Sequence, residues 1–332
     1  MVRKMNNESK KRWLFLSWSY SRRSEDIAKI GDFDYFYFPL SQKIRLFQFP
    51  LLFVKTIFHL FKKRPEVIFI QHPPIHAILP VLLYSMLTGA HYIIDSHITP
   101  GTTLIEKPHH NIYLFLHRFY SYLATVTLFH SKAILERGKK WRCNYMVLEN
   151  PVRILDIESH FPIQRRPAIG MVSSLSPDEH IMEVIEVAED LKNVVFYITG
   201  EKKKIPRKIL TSTPENIHFT GYIKGNNYYE FLKAIDLAIV LTDRKESALL
   251  GAYEALSAEK PLVLSDTQTM RYYFPRGAIF VRNSKDAIKA GIEIAIREIG
   301  RLTKEIQQLK VEKLKKQDEN FSKIEELLGS RN

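Results

Sequence analysis

Short apolar runs alternate with helical patterns along the chain, and this alternation predicts the fold. In the first half, six runs rich in β-branched and aromatic residues predict strands. They cover residues 13–17, 35–38, 67–70, 92–94, 125–129 and 145–148. Helical patterns lie between them at residues 44–62, 75–87, 112–124 and 132–140. Apolar strands separated by helices are typical of a parallel sheet covered on both faces.

The pattern starts again after residue 150. Residues 158–167 contain two prolines and two arginines and predict a linker. Strands are then predicted at 168–172, 194–198, 217–219, 237–241, 262–264 and 279–281, and helices at 177–191, 228–234, 246–258 and from residue 285. We therefore expect an α/β protein with two Rossmann-like, doubly wound domains, residues 1–157 and 163–300. Residues 301–332 predict a charged helical extension that closes the chain against the first domain.

Length and composition agree with two globular domains in a reducing compartment. The chain has 332 residues, about twice the usual size of a domain. Its single cysteine, Cys143, excludes an intramolecular disulfide and a cysteine-rich metal site. The apolar run at 13–18 is too short for a signal peptide, and the uncharged stretch 71–94 is interrupted by prolines and Gly89. We expect a cytoplasmic protein.

The net charge of +13 lies almost entirely in the first half of the chain. Residues 1–150 carry 21 Lys and Arg against 10 Asp and Glu, whereas residues 151–332 carry 28 against 26. Such a basic half suits nucleic acid, a phosphorylated ligand or an anionic membrane surface, and it equally suits an ordinary solvated surface. No zinc-finger, RRM or helix-turn-helix signature is present, so we expect no nucleic-acid partner.

Two glutamates, Glu246 and Glu254, stand eight residues apart at the start of a predicted helix that follows an apolar strand. Ligands of open α/β sheets bind at the carboxyl ends of the strands, where a helix N-terminus also attracts phosphate groups. Carboxylates there accept hydrogen bonds from sugar and ribose hydroxyls. The alternative is that Glu246 only caps the helix and Glu254 is solvated.

The sequences TGYI (220–223), ESALLGAYE (246–254) and KPLVLS (260–265), in this order, resemble the C-terminal domain of GT-B glycosyltransferases. Among these, the chain is most similar to the retaining glycosyltransferase family 4. The resemblance covers residues 168–285 well and 13–150 more weakly. It implies the GT-B fold, in which two Rossmann-like domains face each other across a cleft, and a nucleotide-sugar donor bound without a metal or other cofactor.

The resemblance also implies roles for individual residues. By this resemblance, His97 and Glu246 would be the catalytic residues that contact the donor sugar, and Glu254 would bind the ribose of the donor. The remaining implied donor-binding residues lie in the loops of the second domain: Leu249, Leu250, Ser173, Ser174, Gly200, Tyr222 and Ile223.

Two features depart from the family pattern. The family usually has glycine three residues after its first glutamate, where this chain has Leu249 followed by Gly251. Residues 173–180 lack the arginine and lysine that neutralise the donor diphosphate, which leaves Lys202, Lys203 and Arg271 as candidates. Instead, Ser176 and Glu179 predict a capping box. This segment resembles an element of eukaryotic chitobiosyl-diphosphodolichol mannosyltransferases, so an inverting reaction stays open beside the retaining one.

In the first domain, His97 follows Asp95 at the end of a predicted strand, although a histidine in this place is equally compatible with a local structural role. Ser96, Thr99, Gly101 and Thr102 are expected to form the loop beside it. The loop 17–24 is expected on the acceptor side through Ser19, Arg22 and Arg23, or simply to be a surface loop. Residues 44–64 are apolar, aromatic and flanked by cations, which suits either a membrane interface or a helix that covers the sheet.

The sequence therefore predicts a glycosyltransferase that moves sugar from a UDP- or GDP-sugar to a glycan or polyprenyl-linked acceptor in surface polysaccharide or glycoconjugate synthesis. It would be cytoplasmic, with peripheral contact to the inner face of the membrane. The alternatives are a GT-B sugar-nucleotide epimerase, which makes no net transfer, and a non-enzymatic nucleic-acid-binding protein.

Overall fold

The chain divides into two compact units. The computed structural model describes residues 11–38, 45–97, 110–138, 142–201, 203, 205 and 213–329. The first unit contains residues 1–149 and 319–332, and the second contains residues 150–318. Among the described residues, the strands form two six-stranded sheets, one in each unit, and every strand pairing is parallel.

The first sheet has the strand order β2-β1-β3-β4-β5-β6. Its elements follow the chain as β1 Trp13–Ser17, α1 Arg22–Gly31, β2 Asp34–Tyr37, α2 Arg45–Lys63, β3 Val67–His72, α3 Ile78–Thr88, β4 His91–Ser96, α4 His110–Leu123, β5 Val126–Phe129, α5 Lys132–Gly138 and β6 Tyr145–Val147. A 3-10 turn at Ile75–Ala77 precedes α3.

Alternation along the strands of the first unit creates two apolar layers. Leu14 and Leu16 belong to the layer formed with α2, α3 and α4, whereas Phe15 belongs to the opposite layer with α1. The opposite layer also contains Phe321 and Ile324 from the end of the chain. The C-terminal residues of the protein therefore complete the core of the first unit.

The second sheet has the strand order β12-β11-β10-β7-β8-β9. Its elements are β7 Ala168–Met171, α6 Ile181–Asp190, β8 Val195–Thr199, β9 Ile217–Gly221, α7 Gly225–Ala234, β10 Leu237–Val240, α8 Leu250–Ser257, β11 Leu262–Ser265, α9 Gln268–Tyr273, β12 Ala278–Val281 and α10 Lys285–Arg297. Buried strands such as Leu262–Ser265 contribute to both apolar layers of this unit, which is why their sequences are continuously apolar. Helix α11, Ile299–Gly329, follows α10.

Three helices begin or end at residues that the sequence analysis did not identify. Helix α1 lies where a loop was expected, because Ser21 caps it and accepts a hydrogen bond from the Ser24 N–H. The predicted helix 177–191 is also wrong at its start. A 3-10 turn covers Pro177–Glu179, and His180 after it has a positive φ of 53°, so α6 begins only at Ile181. The predicted helix 246–258 is also wrong at its start, because α8 begins only at Leu250.

Candidate functional site

The carboxyl ends of the second unit's strands all lie at one edge of the sheet because the strands are parallel. A polar network ties several of the loops at this edge together. Thr242 after β10 donates to Asp178 after β7 at 3.0 Å, and its N–H donates to the Ser265 hydroxyl at the end of β11 at 2.8 Å. The Ser265 hydroxyl donates in turn to Asn283 after β12 at 2.6 Å. These bonds make the edge a defined platform rather than a set of independent loops.

Glu246 lies on this edge, in the loop between β10 and α8, and is half-buried. It precedes the helix by four residues, so the expectation that both glutamates belong to the helix 246–258 is wrong. The loop is shaped by a turn in which Ser247 N–H donates to the Arg244 carbonyl at 3.3 Å, and by Asn150, whose amide donates to the Ala248 carbonyl at 2.7 Å. Glu246 is therefore presented from an ordered loop.

The N-terminus of α8 suits an anionic ligand. Its N-cap residue is Leu249, which has an extended backbone and no side-chain acceptor for the first N–H groups of the helix. Both Leu249 and Leu250 are half-buried. Gly251 allows α8 to approach the end of β7, since a Cβ at this position would lie 2.7 Å from Cγ1 of Val172. This close approach explains why a glycine stands at 251.

Glu254 lies one turn into α8 and is only 3% exposed. The Tyr228 hydroxyl donates to its Oε2 atom at 2.6 Å. This bond positions the carboxylate but also occupies one of its oxygens. Contact between Glu254 and a donor ribose stays a prediction, and it requires access to a side chain that the structure places in the interior.

The serine loop, residues 173–176, is organised by Glu179. The hydroxyl of Ser173 donates to Glu179 Oε2 at 2.7 Å, and the N–H groups of Ser174 and Ser176 donate to the same oxygen at 2.9 Å. The predicted capping box is present, but it caps a 3-10 turn rather than α6. Because the Ser173 and Ser174 hydroxyls already donate to Glu179, their role in donor binding stays a prediction.

Position 200, directly after β8, requires glycine, the residue without a side chain. Its φ is +124°, and a Cβ there would lie 2.5 Å from Cγ of Leu175 and 3.2 Å from the Ser173 carbonyl oxygen. Gly200 therefore brings the end of β8 against the serine loop.

We expect the substitution Gly200→Ala to destabilise the second unit by about 1–3 kcal/mol, because it adds both backbone strain and a clash. Thermal unfolding of the purified chain would show a lower Tm. The matched control is Gly300→Ala in α11, where no atom lies within 4 Å of the added Cβ. Equal Tm values for the two variants would contradict the proposed constraint at Gly200.

Tyr222 and Ile223 follow β9 at the same edge. Tyr222 is 50% exposed, and the Lys224 ammonium lies 5.7 Å from the centre of its ring. Ile223 is half-buried and packs against the apolar layer that contains α8. Tyr222 therefore presents an exposed aromatic ring, whereas Ile223 anchors the loop. Their contact with a nucleobase stays a prediction.

The sequence analysis missed Arg244 and His180 at this edge. The Arg244 Nε atom lies 2.9 Å from Asp178, and the His180 Nε2 atom lies 2.7 Å from Asp243. Burial lowers the pKa of His180, but its hydrogen bonds to Asp243 and Glu183 outweigh this effect and raise it above the usual value. In the sequence, only its position two residues before Glu246 indicates that Arg244 lies at this edge.

The three predicted diphosphate cations are not equally placed. Lys202 lies outside the described residues. Lys203 forms an ion pair with Glu201 at 3.0 Å, and Arg271 donates to Asp266 at 2.5 Å. Arg244, in the same loop as Glu246, is a fourth cation to consider.

In the first unit, His97 follows the end of β4 and continues its pairing with β3 through an N–H bond to the His72 carbonyl at 2.8 Å. Its Nε2 atom lies 2.7 Å from Asp95 Oδ2, and its side chain is 26% exposed. Residues 95 and 97 share one face because side chains alternate along an extended chain. A carboxylate at this distance selects the tautomer with the proton on Nε2, which leaves Nδ1 as an acceptor. Of the expected neighbours, Ser96 is buried, while Thr99, Gly101 and Thr102 lie outside the described residues.

Arg23 holds Asp95 from the other side. Its Nη2 atom lies 3.0 Å from Asp95 Oδ1, and the guanidinium also donates to the carbonyls of Leu148 and Glu149 at 2.8 and 2.9 Å. Burial raises the pKa of Asp95, but Arg23 and His97 outweigh this effect and hold that pKa well below its usual range. Asp95 is therefore a carboxylate held between a guanidinium and an imidazole.

Arg23 is 3% exposed and its guanidinium is engaged inside the unit, so its contact with an acceptor stays a prediction that requires the guanidinium to leave these partners. Its neighbour Arg22 is half-buried in the first turn of α1. Ser19 is half-buried, and its carbonyl accepts from the Ser17 hydroxyl at 2.7 Å. The acceptor-side roles of Ser19 and Arg22 stay predictions.

Three further histidines lie near the same edge of the first sheet: His72 and His117 are buried, and His130 is half-buried. Tyr113 OH lies 2.8 Å from His72 Nε2, and Ser96 Oγ lies 3.3 Å from His117 Nε2. Burial lowers the pKa of His72 well below its usual value, and it lowers the pKa of His117 and of His130 to about 3. These imidazoles are neutral at physiological pH.

We expect these neutral histidines to make the first unit less stable as the pH falls from 6.5 to 5. Below the unfolded pKa of 6.5 the unfolded chain binds protons that the folded chain excludes, so each group adds a slope of up to about 1.4 kcal/mol per pH unit. All three tryptophans, at positions 13, 18 and 141, belong to this unit, so tryptophan fluorescence during urea unfolding reports on it. His117→Gln should reduce the slope, whereas an unchanged slope would show that His117 is not buried neutral.

Among the described residues, no group of three or more histidine, cysteine or carboxylate side chains has the geometry to hold a metal ion.

Comparison with known proteins agrees with this architecture. Residues 153–310 match the family described as glycosyl transferases group 1. No curated protein sequence matches the chain significantly.

Solved structures show the same fold over nearly the whole chain. HepE from Anabaena, in complex with UDP and glucose, has a TM-score of 0.72 at 14% identity, covering 95% of this chain and 99% of its own. Sucrose-phosphate synthase from Thermosynechococcus elongatus has a TM-score of 0.75 at 10% identity, covering 96% and 100%. A candidate UDP-N-acetylglucosamine 2-epimerase from Listeria monocytogenes has a TM-score of 0.60 at 12% identity, covering 90% and 91%. The chain is therefore a glycosyltransferase of the GT-B fold, and residues 153–310 match the group 1 glycosyltransferase family.

Proposed function

We propose that the protein transfers a sugar from a nucleotide-sugar donor, UDP-linked or GDP-linked, to a glycan or polyprenyl-linked acceptor. The surrounding process would be surface polysaccharide or glycoconjugate synthesis, in the cytoplasm at the inner face of the membrane. Anomeric retention is the favoured outcome because of the resemblance to family 4. The observation that carries the proposal is Glu246, presented from an ordered loop directly before the N-terminus of α8, inside the segment that matches the family.

The proposed chemistry follows from this arrangement. The difficult step is the loss of the nucleoside diphosphate, which leaves negative charge on the departing phosphate. The N–H groups at the start of α8 stabilise that charge without a metal, and Arg244 adds a cation from the preceding loop. Glu246 accepts hydrogen bonds from donor-sugar hydroxyls. His97, oriented by Asp95, contacts the reacting sugar with its Nδ1 acceptor.

Support for a UDP-linked donor comes from the structural neighbours. HepE has been solved with UDP, with UDP and glucose, and with UDP-glucose. At 14% identity these complexes support the class of donor rather than the particular sugar. Glu254 and Tyr222 are proposed to contact the ribose and the base of that donor.

A thermal-shift screen of UDP-sugars and GDP-sugars tests donor binding, since a ligand at 100 times its Kd stabilises the folded state by about 2.7 kcal/mol. Transfer is then tested by supplying the stabilising donor with lipid-linked and glycan acceptors. Product analysis with donor alone separates the alternative, because an epimerase converts the sugar nucleotide without an acceptor. No shift with any sugar nucleotide, combined with binding of labelled RNA or DNA, would overturn the proposal.

A further inference from the structure

Helices α2, α3 and α4 of the first unit each carry two apolar faces. Their inner faces pack on the sheet through buried residues such as Leu52, Val81 and Tyr120. A helix that only covers a sheet needs one such face. The outer faces of these three helices therefore require a separate explanation.

The outer faces are exposed and follow helical spacing. Val54 and Phe58 on α2 are 62% and 69% exposed, and Met86 and Leu87 on α3 are both 73% exposed. Phe115 and Tyr122 on α4 are 67% and 65% exposed. We call these six residues the outer apolar surface. All three helices belong to the same layer, and α2 contacts α3 through an edge-on ring contact between Phe61 and Tyr84 at 5.2 Å.

The charged residues of the three helices are all cations, of which Lys63 at the end of α2 pairs with Asp34 at 3.6 Å. Helices α2, α3 and α4 contain no aspartate or glutamate. The acidic residues within 35–135 are Glu66, Asp95 and Glu106. Asp95 is buried, and Glu66 pairs with Arg12. In contrast, Lys55 stands one turn from Phe58, and Arg118 stands one turn from Phe115 and Tyr122; both cations are exposed.

We propose that the outer apolar surface docks the protein on an anionic membrane. Apolar and aromatic side chains enter the boundary between headgroups and acyl chains, while Lys55 and Arg118 meet anionic headgroups. A second copy of the chain fits less well, since a symmetric interface would bring the same cations together without carboxylates to pair them. Within the part of the chain that the structure describes, no helix is both long and apolar enough to cross a bilayer.

Co-sedimentation of the full chain with vesicles tests this proposal independently of donor and acceptor. We expect binding to vesicles of equal parts phosphatidylcholine and phosphatidylglycerol, and little binding to phosphatidylcholine alone. The double variant Phe58→Ser with Phe115→Ser should partition at least about tenfold more weakly, because each change removes an aromatic ring that the boundary between headgroups and acyl chains would bury. The matched control replaces Ile154 and Val311, which are 70% and 68% exposed in the second unit, by serine and should bind like the wild type.

The charge requirement has its own variant. Lys55→Glu with Arg118→Glu should remove the preference for anionic vesicles, and high salt should weaken wild-type binding. Circular dichroism and the donor-induced thermal shift check that the variants remain folded. Equal binding to neutral and anionic vesicles, or unchanged binding of the Phe58 and Phe115 variant, would overturn the proposal. So would a concentration-dependent dimer in analytical ultracentrifugation that this variant abolishes, because the surface would then join two copies.

Discussion

Replacing Glu246 by glutamine is expected to lower sugar transfer by about 100-fold or more while the second unit keeps its fold. The carboxylate is a charged acceptor, whereas the amide offers one neutral acceptor oxygen and two unwanted donors. The side chain is half-buried in a loop that other residues hold, among them Asn150 through the Ala248 carbonyl, so its removal should leave the loop in place. The quantity to measure is kcat/KM with the donor identified by thermal shift.

The control for this variant is Glu186→Gln, an exposed glutamate on α6 of the same unit. It carries the same change in charge and should leave kcat/KM unchanged. Wild-type turnover in Glu246→Gln would remove the proposed catalytic assignment, although the family match would still stand. A matching fall in both variants would instead point to the net charge of the unit.

The strands were well predicted from the sequence because their signal is local. Runs such as residues 67–70 and 262–264 are apolar on both faces, and a parallel sheet covered on both sides buries them completely. The repeated alternation of these runs with helices also predicted two doubly wound units. Comparison with solved proteins confirms the GT-B fold.

Helix starts were harder because they depend on single backbone conformations. His180 has a φ of 53°, which breaks a helix that its sequence otherwise favours. The segment before Leu250 has good helix formers but folds as a loop, since Arg244 and Thr242 bond to Asp178 across the sheet edge. Local propensity contains no information on such contacts between distant residues.

The role of Arg23 could not be predicted for the same reason. Two adjacent arginines after a strand suit a surface loop, and only the folded unit shows that Arg23 reaches Asp95, 72 residues away, while Arg22 is half-buried in the first turn of α1. His97 was singled out because it ends a predicted strand as part of an Asp-x-His sequence, at the place where the resembled family has a histidine. The pattern identified the histidine but not the guanidinium that fixes its partner.

Replacing Asp95 by asparagine is expected to damage both stability and transfer. Removing one member of a buried ion pair costs about 3–5 kcal/mol, because the Arg23 charge stays buried without its carboxylate. His97 would also lose the acceptor-only partner that fixes its tautomer, because the amide can turn either its oxygen or its NH2 group toward Nε2. Tryptophan fluorescence during urea unfolding measures the first effect, and kcat/KM at a temperature where the variant is folded measures the second.

A double variant separates positioning from stability. Combining Arg23→Met with Asp95→Asn removes the buried charge as well as its partner, so much of the lost stability should return. Transfer should stay low, since His97 still lacks a carboxylate. His97→Ala supplies the reference for complete loss of the imidazole. If the double variant regained wild-type kcat/KM together with its stability, Asp95 would contribute only to the fold, and His97 would need no carboxylate partner for sugar transfer.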